Sequence, residues 1–307
     1  MLHKKVFLCI CCLLASAFLP SCNEKEKKDE RPSFKEFEGI KYVEVRREFN
    51  TGFSFSEQGF QQKPEWTLYF LPGDSVKIYS PFEKRYIEYP IYYDHAQVIN
   101  FAREWLRVIH VSKDSMTLQL LRVKSKKVVK ELSTVYMRYY SEDYIKNVLH
   151  ENPDRMRRPT KKDTAYVLKL ISKANKKPLQ ADSLFAARIP VILKSTIPEI
   201  KVSRTVSDKD NPDYSPSDEY LYPEYDILIE KAYKDFAFNF SVMVDEKGRL
   251  TVGNFAVADK EFEQTRRKVL QGIIDVYLQR FLEVSPGTTL NIPHATELML
   301  HVKGTID

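Results

Sequence analysis

Phe236 to Val257 reads FAFNFSVMVDEKGRLTVGNFAV, the stretch from which the second half of the chain takes its architecture. Two apolar, β-branched and aromatic runs flank Asp245-Glu246-Lys247-Gly248, a four-residue turn closed by glycine, so the stretch is a β-hairpin. Downstream, Asp259 is placed to cap a helix and Glu261 and Glu263 put acid in its first turn. Val269, Leu270, Ile273, Ile274, Tyr277, Leu278, Phe281 and Leu282 then recur at helical spacing, up to the breaker Ser285-Pro286-Gly287. Ala295 to Gly304, ATELMLHVKG, reads as one more strand, giving β-β-α-β over residues 220–307. Its apolar centre calls for a central or covered place in the sheet, not a bare edge.

Upstream, residues 34–144 read as a second β-rich domain. Six segments rich in β-branched and aromatic residues, IKYVEVRREF, WTLYF, SVKIYS, WLRVIHVS, SMTLQLLRV and VYMRYY, are candidate strands. Turn chemistry separates them at LPGDS and SKDS. Met116, Leu118 and Leu120 alternate with Thr117 and Gln119, the period of a half-buried strand. The expected fold class is α+β, an antiparallel meander or small barrel followed by the β-β-α-β module. Ala96 to Arg107 is expected to hold a helical turn. Trp66, Tyr92, Tyr93 and Trp105 are the candidate lining of a ligand site at a barrel mouth, although large aromatics in strands more often pack a core.

Residues 145–219 connect the two regions. DRMRRPTKKD concentrates basic residues and reads as a solvated loop. IPVILKSTIPEIKVSRT reads as one or two strands that Pro190 and Pro198 confine to an edge or bend. Val206 to Asp218 is acidic and proline-containing and reads as a linker. Asp208, Asp210 and Asp213 are closely spaced carboxylates, but Pro212 and Asp213 stand where a calcium loop needs a ligand and a glycine, so no metal site is assigned.

The N-terminus gives an address. His3, Lys4 and Lys5 precede an apolar run from Val6 to Phe18, the layout of a secretory signal and too short to span a bilayer. Leu19-Pro20-Ser21-Cys22 resembles the lipobox of bacterial lipoproteins, with Pro20 departing from the usual small or apolar residue. The resemblance implies cleavage before Cys22, removal of 1–21 as signal peptide, and acylation of Cys22. The rival is ordinary cleavage after Ala15-Ser16-Ala17, which leaves Cys22 as a free thiol. All four cysteines lie at or before Cys22, so lipidation leaves no pair for a disulfide. Residues 22–33 carry alternating acids and bases and read as a lipidated tether, similar to that of Bacteroidota lipoproteins. Loss of Lys4 and Lys5 lowers the formal net charge from +6 to +4, a mild balance that with an envelope address argues against nucleic-acid binding.

The C-terminal order Tyr222-Pro223, FSVMVDEKGRL, amphipathic helix, Pro-Gly turn and final strand resembles the TonB C-terminal domain. That likeness implies a module that lends a strand to a periplasmic partner. No G-x-S-x-G, S-x-x-K, H-E-x-x-H or G-x-G-x-x-G occurs, so no catalytic residue and no cofactor are assigned. The favoured reading is a non-enzymatic, lipid-anchored outer-membrane protein that faces the periplasm or the cell surface. It would bind or scaffold a partner, for instance through a sheet edge. Alternatives are a TonB-like coupling or accessory component of outer-membrane transport, and an envelope hydrolase without a recognisable motif.

Overall fold

A computed structural model describes residues 31–206 and 215–306. Leu19, Pro20, Ser21, Cys22, the tether up to residue 30 and the three aspartates of the acidic segment therefore lie outside the described residues. Among those described, no helix is long and apolar enough to cross a membrane.

The chain is predominantly β. Its larger sheet has nine strands: β1 (Lys41–Phe49), β2 (Thr67–Leu71), β3 (Ser75–Ser80), β4 (Arg85–Pro90), β5 (Tyr92–Tyr93), β6 (Val98–Phe101), β7 (Glu104–Val111), β8 (Ser115–Leu121) and, after a short β9–β10 hairpin (Val123–Lys124, Lys127–Val128), β11 (Val135–Ser141). The order is β4-β3-β2-β1-β11-β8-β7-β6-β5, with every pairing antiparallel. β4 and β5 form opposite margins, yet only Ile91 separates them in sequence. The margins therefore meet and the sheet curls into a nearly closed barrel. Ile91 N–H donates to the Asp74 carbonyl at 2.8 Å and the Tyr93 hydroxyl donates to Asp74 Oδ1 at 2.8 Å, which pins the seam.

Alternation along the strands fills this barrel with side chains. Tyr42, Leu68, Phe70, Ile99, Leu106, Met116, Leu118 and Tyr139 are all buried in one cluster. Phe34, the first residues after the tether, stacks on Phe70 with ring centroids 4.0 Å apart. A buried ion pair sits among them: Glu44 accepts from Arg47 Nε at 2.7 Å and Nη2 at 2.8 Å, and from the backbone N–H of Glu65 and Trp66.

Ala96 to Arg107 contains no helix. Ala96 and Gln97, then Ala102 and Arg103, take positive φ in tight turns on either side of β6. A two-residue turn of this hand matches the twist of antiparallel strands, so the segment folds as strand–turn–strand. The basic run is not a solvated loop either. Asn152 caps a short helical turn, Pro153–Met156, and Thr160 and Asp163 form a capping box for a helix at Lys161–Lys176. Val167, Ile171 and Ala174 face inward, and Arg157 reaches the barrel to donate to the Glu44 carbonyl at 2.9 Å.

The remaining strands are β12 (Ile192–Ser195), β13 (Ile200–Thr205), β14 (Glu224–Ile229), β15 (Phe236–Val244), β16 (Leu250–Phe255), β17 (Leu282–Ser285), β18 (Thr288–Thr289), β19 (Ile292–Pro293) and β20 (Thr296–Gly304). Five of them make the second sheet, in the order β13-β14-β20-β15-β16. β20 is internal, parallel to β14 and antiparallel to β15. Asp259 Oδ1 accepts from Glu261 N–H at 3.1 Å and opens the helical stretch, which runs through Glu263–Ile273, a π turn at Ile274–Leu278 and Gln279–Phe281. Leu270, Ile273, Ile274 and Leu278 bury against the sheet, while Val269 is exposed and Leu282 belongs to β17. Gln271 and Gln279 accept from Val252 N–H and Leu250 N–H, so helix side chains cover the β16 edge. A third cluster lies between the two sheets: Phe55 from the connection between β1 and β2, Val167, Ile171 and Ala174 from the Lys161–Lys176 helix, Phe185, and Ala295.

Candidate functional site: a cleft on the open face of the second sheet

The helix covers one face of the five-stranded sheet. Period-two alternation sends Leu298, Leu300 and Val302 of β20 toward it, and places Glu297, Met299, His301 and Lys303 on the opposite face. Against that open face, the segment Leu184–Phe185–Ala186 and the turn Leu221–Tyr222–Pro223–Glu224 form two walls of a cleft of about 470 Å³. Ser241, Asn254, Glu297 and Met299 lie at its floor.

A β-bulge shapes that floor. Between the paired residues Phe240↔Phe255 and Val242↔Val252, Gly253 and Asn254 oppose Ser241 alone. The extra residue brings Asn254 round, so that its N–H donates to Ser241 Oγ at 2.6 Å and its Nδ2 to Glu297 Oε1 at 3.3 Å. The Ser241 hydroxyl donates to the same carboxylate oxygen. Gly253 is required there, because a Cβ would stand 2.4 Å from Ser241 Oγ and 3.1 Å from Glu297 Oε1.

The first wall is held from behind. Ala186 N–H donates to the Gln58 carbonyl at 3.0 Å, and Gly59, with φ +91°, lets the two backbones touch. Phe185 stacks on His294 with ring centroids 3.9 Å apart. His294 is fully buried, with Nε2 3.0 Å from Thr289 Oγ1 and Nδ1 3.0 Å from the Ala295 carbonyl. Burial pushes its imidazole down to about 4 against the opposing bond to Ala295. The ring is therefore neutral, donates from Nδ1 and accepts from the Thr289 hydroxyl. On the second wall Tyr220 is buried beneath Arg188, whose guanidinium lies 4.1 Å from the ring centroid, and its hydroxyl accepts from Gln61 N–H at 3.1 Å. Tyr222 stands 72% exposed at the rim.

One row away, His301 lies between Asn239 Oδ1 at 3.0 Å and Glu224 Oε2 at 3.3 Å. Among the described residues no cluster of three or more His, Cys, Asp and Glu is arranged to hold a metal ion.

The four aromatic residues suggested by the sequence do not share a cavity. Trp66 is half-buried against the barrel cluster, with Arg47 5.8 Å over its ring, and borders a recess of about 210 Å³ beside Tyr79 and Tyr89. Tyr93 packs on the same cluster, Tyr92 is 62% exposed, and Trp105 alternates with the inward Leu106 on the barrel's outer side. Ser241, Asn254 and Glu297 form no sequence motif. The one local sign was Gly253 within an otherwise continuous strand, a common mark of a bulge.

No protein-family model and no curated protein matches the chain. Among solved structures, it is similar to the siderocalin Ex-FABP, described as functioning through dual ligand specificities, at 19% identity and TM-score 0.22. The match spans 47% of this chain and 85% of that one.

Proposed function

We propose that this protein is a lipid-anchored envelope protein that binds rather than transforms its partner, and that the cleft on the second sheet is where it binds. The anchor and address rest on the leader, through the Leu19 to Cys22 lipobox pattern and the charged tether. The binding role rests on one observation. Two separate stretches of chain, Leu184–Phe185–Ala186 and Leu221–Tyr222–Pro223–Glu224, wall the open sheet face to make a concave site of about 470 Å³ whose polar groups are fixed by mutual hydrogen bonds, whereas side chains occupy the barrel interior. Strand lending of the TonB kind would need a free sheet margin. β16 is covered by Gln271 and Gln279, which leaves the exposed margin β13, with Lys201 and Arg204, for such a role.

Photo-crosslinking in the native envelope tests the location. Benzoylphenylalanine at Tyr222 on the cleft rim is expected to give a discrete adduct, and the same group at Tyr92, also exposed but on the barrel, none. Adducts from position 92 alone would place the partner on the barrel and overturn the assignment.

A further inference from the structure

The cleft carries a charge pattern unlike the rest of the chain. The whole sequence has 48 Lys and Arg against 42 Asp and Glu. The cleft lining contains two carboxylates, Glu224 and Glu297, and no Lys, Arg or His. Cations around the cleft are engaged by other groups: Arg188 stacks on Tyr220, Arg204 donates to the Glu219 carbonyl, and Arg267 donates to the Val252 and Gly253 carbonyls of the bulge. His301 faces Glu224 from the neighbouring row.

Glu297 is held, not loose. Its Oε1 receives the Ser241 hydroxyl and the Asn254 amide, and the space they occupy exists because residue 253 has no side chain. Neither donor is charged, so the pair orients the carboxylate without neutralising it. Beside it, Leu184, Leu221 and Met299 supply an apolar wall. An oriented anion next to a greasy slot is complementary to a cation on a hydrocarbon stem.

Resting on the proposal that the cleft is a binding site, we infer that it takes a ligand ending in an ammonium or guanidinium group on an apolar chain. The cation sits at Glu297 with Glu224 at the rim, and the stem lies along Leu184, Leu221 and Met299. A free alkylamine and the side chain of a lysine or arginine in a peptide share this chemistry.

Titration calorimetry on the full mature chain, kept in solution by Cys22→Ser, tests it with hexylammonium, hexanol and hexanoate as equal-length probes. Blocked single-residue lysine and arginine amides represent the peptide source. Hexylammonium should bind at least about tenfold more tightly than hexanoate, a ratio corresponding to roughly 1.4 kcal/mol. Tighter binding of the blocked amides than of hexylammonium assigns the peptide source, and the reverse assigns the free amine. Glu297→Gln should weaken hexylammonium about tenfold. Ser241→Ala, which keeps the charge but frees the carboxylate to turn, should weaken it about threefold and serves if Glu297→Gln does not fold. Asp226→Asn, outside the cleft, should change nothing. Equal binding of hexanoate and hexylammonium, or full affinity in both variants, overturns the charge assignment while leaving the cleft as a site. Failure of every probe to bind overturns both.

Discussion

Lowering the pH should loosen this protein through His294, in a window above that of the buried Asp163. The imidazole is buried, stacked on Phe185 and held neutral, with its pKa brought from 6.5 to about 4. An unfolded chain takes up a proton at this site below about pH 6.5, while the folded chain does so only near pH 4. Its contribution to stability is therefore whole above pH 6.5, falls as the pH drops between those values, and changes no further below them. At about pH 4.5 the loss integrates to roughly 2.5 kcal/mol. Asp163 titrates lower. Burial raises its pKa, but hydrogen bonds from Arg46, Ser54 and Thr160 outweigh that and hold it at about 2. The comparison is urea unfolding at about pH 7.5 and pH 4.5, in the parent and in His294→Gln. Glutamine loses the ring stack and so starts lower, but it cannot titrate. The difference between the two pH values should shrink by about 2 kcal/mol in the variant. An undiminished difference would mean that His294 titrates normally and is not the buried neutral ring described.

Asp163→Asn should cost about 3 kcal/mol, because it strips the charge that Arg46 Nη1 meets at 2.8 Å beside a fully buried carboxyl; chemical denaturation at neutral pH reads this. Glu44→Gln should cost a similar amount and loosen the barrel, seen as faster hydrogen exchange at Glu65 and Trp66, whose N–H groups bond that carboxylate. Gly59→Ala places a Cβ 2.2 Å from the Ala186 carbonyl at a left-handed φ of +91°, so it should lower stability by more than about 1 kcal/mol and shift the amide resonances of Leu184 to Ala186. Cys22→Ser should release the protein from membranes; a variant still membrane-bound after a high-salt wash refutes the lipobox reading.

Much of the strand content was legible because burial and alternation coincide. Met116 and Leu118 inward with Thr117 outward, or Leu298 and Leu300 against the helix, are patterns that backbone geometry imposes. The Asp259 cap and the Gly248 turn were legible because each performs a local task, one accepting a helix N–H and the other taking φ +77°. The turns around β6 were not. Ala102 and Arg103 adopt positive φ without the glycine or asparagine that announces it, so tertiary pairing of Phe101 with Glu104 overrides local preference. The Lys161–Lys176 helix was obscured by its lysines, although Thr160 and Asp163 spelled its capping box. The cleft was least legible. Glu224, Ser241 and Glu297 are distant in sequence, and only the parallel pairing of β14 with β20 and the antiparallel pairing of β15 with β20 bring them to one face.

Methionine methyl NMR distinguishes a ligand in the cleft from one in the barrel, since methionine side chains are already distributed between the two. Met299 lines the cleft, while Met116 and Met137 are buried inside the barrel. With methyl-labelled methionine in the Cys22→Ser mature chain, titration with hexylammonium is expected to move the Met299 resonance saturably and leave those of Met116 and Met137 in place. Saturable shifts at Met116 and Met137 with Met299 unmoved would put the ligand in the barrel instead of the cleft.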